Sequence, residues 1–210
     1  VPGHLSVNGH KNIAQGGAGM NQFNVFLIGV GGQGIGLLSE ALLRAADHAG
    51  LPVRGVDTHG LAQRGGVVTS HLRVGQNIHS PLVRSFNADL VIALERDEAL
   101  RGMNTMLKDG GTLVYYDASW QSLPVRLGEA TATTTETIAR QAAARGITVH
   151  RIFDEALPDV RMQNATLMAA VVREKLFPGV ALAHVEQALD DLLRGELLNQ
   201  NLAVLRRLNG

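Results

Sequence analysis

The strongest constraint on this chain is a repeating order of short apolar runs and amphipathic stretches that starts at Asn24. Asn24 to Val30 (NVFLIGV) is almost continuously apolar, as expected of a strand buried on both faces. Ile35, Leu38, Leu42, Ala45 and Ala49 then recur at three- and four-residue spacing, and Gly50 with Pro52 stops that helix. Val53 to Asp57, Val67 to Val74 and Ala88 to Leu94 read as further strands, and Glu95 to Leu107 as a helix. Gly110-Gly111 turns the chain into a strand over Thr112 to Tyr116, and a helix over Thr135–Arg145 precedes a strand over Ile147–Phe153. This rhythm predicts an α/β fold, a Rossmann-like, mostly parallel sheet with helices on both faces. Beyond Pro158 the pattern is purely helical: Met162–Leu176, a stripe of Leu182, Val185, Leu189 and Leu192, and a stripe of Leu198, Leu202, Leu205 and Leu208. This C-terminal helical segment either covers the sheet of one domain or extends beyond it to dock a partner subunit.

Val1 to Gly19 stand apart, with neither periodicity, and end in a glycine-rich stretch directly before Met20. They lack the basic start and apolar run of a secretory signal. We read residues 1–19 as a vector-derived leader, with a native disordered arm as the rival, and residues 20–210 as the folding unit.

Composition removes several function classes. The 210 residues carry 19 basic and 19 acidic side chains, so no charge excess marks a nucleic-acid or anionic-membrane partner. The chain has no cysteine, which excludes disulfides, thiolate nucleophiles and cysteine-held zinc or iron–sulfur clusters on this polypeptide. No apolar run approaches the roughly 18–20 residues of a membrane helix, so a soluble, cytoplasmic protein is expected.

Gly29-Val30-Gly31-Gly32-Gln33-Gly34 fits G-x-G-x-x-G where the motif has mechanical meaning, after a strand and opening a helix. Such glycines let backbone N–H groups approach an anion, to which the helix start adds unpaired donors; they also permit close packing of helix on strand. Asp57 ends the next strand, where a nicotinamide-binding domain would place its ribose-binding carboxylate. The stretch after Asp57 argues against a dehydrogenase. Thr58-His59-Gly60-Leu61-Ala62-Gln63-Arg64-Gly65-Gly66 is glycine-rich and too short for a substantial helix. It predicts a second loop at the carboxyl edge of the sheet, converging with the first on one crevice. Gly29, Gly31, Gly32, Gln33, Gly34, His59, Gln63, Arg64, Gly65 and Gly66 are therefore the candidate cofactor-binding or interface residues.

The two loops at this separation, GVGGQG and HGLAQRGG, followed by a strand and Ser80-Pro81, resemble the gamma-type module of ferredoxin-dependent 2-oxoacid oxidoreductases. The greatest likeness is to small (beta) subunits of the indolepyruvate type. Ala88-Asp89-Leu90 through Glu95 and Glu98, and the Asn201-Leu202-Ala203 tail closing at Gly210, continue the resemblance over Met20–Gly210. Trp120 to Thr135 matches nothing in that pattern.

The resemblance implies an accessory subunit of a complex that oxidatively decarboxylates a 2-oxoacid, transfers the acyl group to coenzyme A and passes electrons to ferredoxin. Thiamine diphosphate, its magnesium and the iron–sulfur clusters would sit on a large (alpha) partner subunit, in an alpha2beta2 assembly, because this chain has neither cysteines nor the GDG…N signature. Two readings of the crevice remain open. The loops and Arg64 position an anion such as a coenzyme A phosphate or the oxoacid carboxylate, or both loops are subunit contacts.

Glu95 and Glu98 open a helix and are read as offsetting its dipole, and His71 as a packed or surface histidine in a strand. No catalytic residue and no metal ligand is assigned. Two alternatives stand beside the subunit reading. One is a stand-alone NAD- or nucleotide-binding Rossmann protein. The other is a tubulin-like assembly protein, for which Gly110-Gly111-Thr112 is the faint phosphate-loop candidate.

Overall fold

The computed structural model describes residues 22–59, 66–119, 131–157, 159 and 162–210. Six strands form one sheet: β1 (Phe23–Val30), β2 (Val53–His59), β3 (Val67–Val74), β4 (Ala88–Ala93), β5 (Leu107–Tyr116) and β6 (Thr148–Ile152), in the order β2-β3-β1-β4-β5-β6. The helices are α1 (Ile35–His48), α2 (Arg96–Thr105), α3 (Thr135–Ala144), α4 (Gln163–Arg173), α5 (Leu182–Leu192) and α6 (Gly195–Asn209).

β1, β4, β5 and β6 run parallel, whereas β3 pairs antiparallel with both β1 and β2. β2 therefore points the same way as β1 but lies one strand further out. The mostly parallel expectation holds, and β3 is the exception. Between β2 and β3 the chain has only residues 60–66, too few for the helical crossover that parallel neighbours require.

Strand alternation divides the core into two layers. Val25, Leu27, Leu90, Ile92, Val114 and Tyr116 face α1, α4, α5 and α6, while Phe26, Ile28, Val91, Ala93, Leu113 and Tyr115 face α2 and α3. The C-terminal helices thus cover one sheet face; Val185, Leu189, Val204 and Leu205 are buried in the same cluster as β1. α4 is unusual in that all nine residues from Gln163 to Val171 are buried, including its polar start. On the other face α2 comes close to the sheet at Gly102, where a Cβ would lie 2.9 Å from Val91 and 3.1 Å from Ile28.

Several boundaries differ from the sequence reading. β2 continues through Thr58 to His59, which the sequence reading placed in the loop, because both residues pair with β3, and α4 ends at Arg173 and not at Leu176. α2 stops at Thr105, and Leu107 already belongs to β5. Gly110-Gly111 does not precede the strand but lies inside it, at a register shift: β4 pairs Ala88 with Leu107 and then Leu90 with Thr112. No described helix is long and apolar enough to cross a membrane.

His71 is a packed residue. It is 8% exposed, its ring meets Phe26 edge-on at 5.0 Å, and its Nδ1 accepts the Val83 N–H at 3.1 Å. Burial pushes its pKa below the usual histidine value. The unfolded chain therefore binds the proton more readily, and stability should fall as pH drops below about 6.5 towards the folded-state value. Glu95 and Glu98, both raised chiefly by burial, act in the opposite sense: their contribution is lost as pH rises through their folded values. We expect the unfolding free energy of wild type, relative to that of His71→Gln, to fall as pH drops from 7 to 5. Urea titrations of both proteins across that range are the measurement. Parallel pH profiles would show that His71 does not contribute.

Candidate functional site

The glycine loop sits at the carboxyl ends of the parallel strands. Val30 ends β1 opposite Val67, and the Gly31 N–H donates to the Gly66 carbonyl at 2.9 Å. This bond extends the β1–β3 pairing one residue past Val30–Val67; residues 60–65, which hold the rest of the expected second loop, lie outside the described residues. His59 closes β2 opposite Val68, and its side chain lies outside the described residues, as do Gln63, Arg64 and Gly65.

The loop is held from within and from α4. Gln33 folds back so that its Oε1 accepts the Val30 N–H at 2.8 Å, above Gly29, whose absent Cβ would lie 2.9 Å from that oxygen. Gly34 has φ +83°, the left-handed region that favours glycine, and is the N-cap of α1 without a side-chain hydrogen bond. The first turn of α1 carries no acidic side chain. Asn164, 2% exposed in the first turn of α4, donates through Nδ2 to the carbonyls of Gln33 at 3.3 Å and Gly34 at 3.0 Å. Gly34 has no room for a side chain, since a Cβ there would lie 2.7 Å from that nitrogen.

Beside this latch lies a cleft of about 560 Å³, within the range of ordinary ligand and peptide sites. Gly32, Gln33 and Gly34 form one wall, Ala118 and Ser119 after β5 another, and Gln163 and Asn164 of α4 with Leu197, Gln200 and Asn201 of α6 the rest. Asp159 is the charged side chain among the described lining residues. Sequence reasoning placed Gly32–Gly34 here and singled out Asn201, but missed Gln163, Asn164 and Gln200. The available signal was a pair of carboxamides opening an otherwise apolar helix.

Directly after β5 comes Asp117, next to the cleft residues Ala118 and Ser119; it is 6% exposed and paired with both Arg96 and Arg151. Burial alone would raise its pKa, but the hydrogen bonds from the two guanidinium groups outweigh it and hold the carboxyl below its usual value. Glu95 caps α2 by accepting the N–H groups of Asp97 and Glu98, and Glu98 pairs with Arg101 at 3.0 Å. Both carboxyls sit at the start of α2, where the sequence reading placed them against its dipole, and Glu95 is in addition its N-cap. Among the described residues no three His, Cys, Asp or Glu side chains gather as a metal site.

The nicotinamide alternative is not favoured. β3 separates β2 from β1, and Asp57 accepts the Ser39 hydroxyl at 3.0 Å. The tubulin-like candidate also fails on position, because Gly110–Thr112 lies in the first half of β5, at the sheet edge opposite the glycine loop.

Comparisons with known proteins agree with this geometry. Residues 24–207 match the family model described as pyruvate ferredoxin/flavodoxin oxidoreductase. The chain is 33% identical over 190 residues to indolepyruvate oxidoreductase subunit IorB of Archaeoglobus fulgidus, covering 88% of this chain and 92% of that one. It is 32% identical to its namesake in Pyrococcus horikoshii, covering 81% and 86%. Its fold is similar to pyruvate oxidoreductase subunit PORC of Thermotoga maritima (TM-score 0.64, 20% identity, 90% of this chain and 96% of that one). It is also similar to part of 2-oxoglutarate:ferredoxin oxidoreductase of Magnetococcus marinus (TM-score 0.67, 17% identity), covering 90% of this chain and 30% of that one. With the family match running from β1 almost to the C-terminus and relatives aligned over most of both chains, the chain belongs to the pyruvate ferredoxin/flavodoxin oxidoreductase family.

Proposed function

We propose that this chain is the small subunit of a thiamine-diphosphate-dependent 2-oxoacid:ferredoxin oxidoreductase acting on indolepyruvate or a related aryl-pyruvate. The observation that carries this reading is the near full-length alignment with subunits named indolepyruvate oxidoreductase IorB. The chemistry belongs to a larger partner. With no cysteine in the chain, and no acidic or histidine cluster among the described residues, thiamine's metal and the iron–sulfur clusters do not fit here. No step of the reaction is routed through this chain's side chains. Its part is to present a fixed glycine loop and the adjoining cleft to the large subunit, in an alpha2beta2 assembly that hands electrons to ferredoxin and the acyl group to coenzyme A.

Of the two readings of the crevice, the described residues support contact between subunits over anion binding. The cleft wall carries an acid and several carboxamides but no lysine or arginine among the described residues. An anion would depend on the first turn of α1 and on Arg64. The isolated chain should reduce neither ferredoxin nor a dye with indolepyruvate and coenzyme A. Reconstitution with the large subunit should restore reduction, and Arg64→Ala should weaken assembly while leaving the KM for coenzyme A within about twofold. Turnover by the isolated chain, or tight NAD binding to it, would overturn the subunit reading. A raised KM for coenzyme A with intact assembly would restore the anion reading.

A further inference from the structure

We propose that a pocket at the amino edge of the sheet, the edge opposite the glycine loop, binds a phosphate-type oxyanion between Arg73 and Arg84. The pocket encloses about 340 Å³. Gln22 and Asn24 at the start of β1, Arg73 of β3, and Arg84 and Asn87 ahead of β4 give it two cations and three carboxamides, and none of the described lining residues is acidic.

Arg73 is fixed in place by neutral partners. Its Nε donates to Asn24 Oδ1 at 2.9 Å, and its two terminal nitrogens donate to the Ser80 carbonyl at 2.9 Å and to Gln22 Oε1 at 2.8 Å. Two of the five guanidinium N–H groups are left over, on a cation whose planar fork suits an oxyanion. The Ser80 hydroxyl accepts the Leu82 N–H at 3.3 Å, so the Ser80-Pro81 segment is folded where it leads to Arg84. The Arg84 side chain has no hydrogen bond or ion pair among the described residues. Sheet pairing adds a third cation. β2 sets Arg54 directly opposite Arg73, where side chains share one face and like charges repel. Arg54 also has no carboxylate partner among the described residues. Asp89 of β4, beyond Asn24, does not offset them, because it accepts the Asn24 N–H at 2.7 Å and pairs with Lys108. Three arginines are thus gathered against their own repulsion with no counter-charge from the chain. A divalent oxyanion supplies that charge and takes charge-assisted bonds from both lining guanidinium groups. The concave shape favours a small anion over the flat acidic surface of another protein.

The test is calorimetric titration of the full chain with inorganic phosphate, at an ionic strength held constant with chloride. Wild type should bind phosphate, and Arg84→Gln should weaken that binding about tenfold, as expected for the loss of one charge-assisted contact. Because Arg84 has no side-chain bond to lose among the described residues, the variant should melt as wild type does in chloride. Arg140→Gln removes the same charge from an exposed position on α3 and should leave the affinity unchanged. Glycerol 3-phosphate separates two sources of the anion. Binding as tight as that of phosphate would support a phosphoryl group on an organic ligand, and exclusion would support the free ion. Absence of phosphate binding to wild type, or equal weakening by Arg84→Gln and Arg140→Gln, would overturn the proposal. So would loss of phosphate binding on assembly with the large subunit, coupled to weaker assembly of Arg84→Gln, which would give the pocket to an acidic side chain of the partner.

Discussion

Gly34→Ala should destabilise the protein by about 2–4 kcal/mol, the sum of two separable costs. The first is conformational. At φ +83° an L-residue pays roughly 1–2 kcal/mol that glycine does not. The second is steric and polar: the new methyl would lie 2.7 Å from Asn164 Nδ2, driving the carboxamide off the carbonyls of Gln33 and Gly34. Each such bond contributes about 0.5–1.5 kcal/mol. Gly32 provides the internal control. Its φ is +100° but nothing lies within 4 Å of a Cβ there, so Gly32→Ala should show the conformational cost alone. The two costs separate in a double-mutant cycle. In an Asn164→Ala background the Gly34→Ala penalty should shrink by about 1–2 kcal/mol, measured by urea unfolding of all four proteins. Additive penalties would mean that the latch between α4 and the glycine loop has no energetic weight.

That latch also shows where sequence reasoning ends. The strand, glycine loop and helix over Asn24–Ala49 were legible because each carries a local signal: apolar continuity, a glycine spacing, a 3.6-residue period. The strand before the second loop was legible too: β2 follows from its apolar, β-branched run, and it points to the same sheet edge as β1. Asn164 was not. It sits 130 residues from Gly34, and its role exists only once α4 is packed against α1. In the sequence, Gln163-Asn164 is simply a polar opening to an apolar helix. β3 was legible as a strand but not as antiparallel, because orientation is set by what the connections allow and not by any residue within the strand. The start of β5 was missed because Gly110-Gly111 has the composition of a turn, and only the pairing of Leu107 with Ala88 of β4 carries the strand across it. Such misses share a cause: the deciding contact is long-range.

Asp117→Ala should be the other large effect, about 2–4 kcal/mol, for a reason that is again long-range. The carboxylate joins three elements at the carboxyl edge: β5, which it directly follows, α2 through Arg96, and β6 through Arg151. Its side chain is 3% exposed, whereas those of Arg96 and Arg151 are 29% and 57% exposed. Truncation therefore leaves two cations that can turn towards water, and the cost falls below that of a wholly buried triad. The backbone beside it also matters to the cleft, because the Arg96 N–H donates to the Ala118 carbonyl at 3.0 Å and Ala118 lines the cleft with Ser119. Loosening this corner should weaken large-subunit assembly along with stability. The pH dependence identifies the carboxylate as the cause. Because its folded pKa is depressed, its contribution is complete above the unfolded value of about 3.9 and is lost as pH falls through the folded one. The stability gap between wild type and Asp117→Asn should thus stay constant from pH 7 to 5 and close at lower pH. A gap that persists into strong acid would assign the effect to packing around Asp117, with no part for its charge.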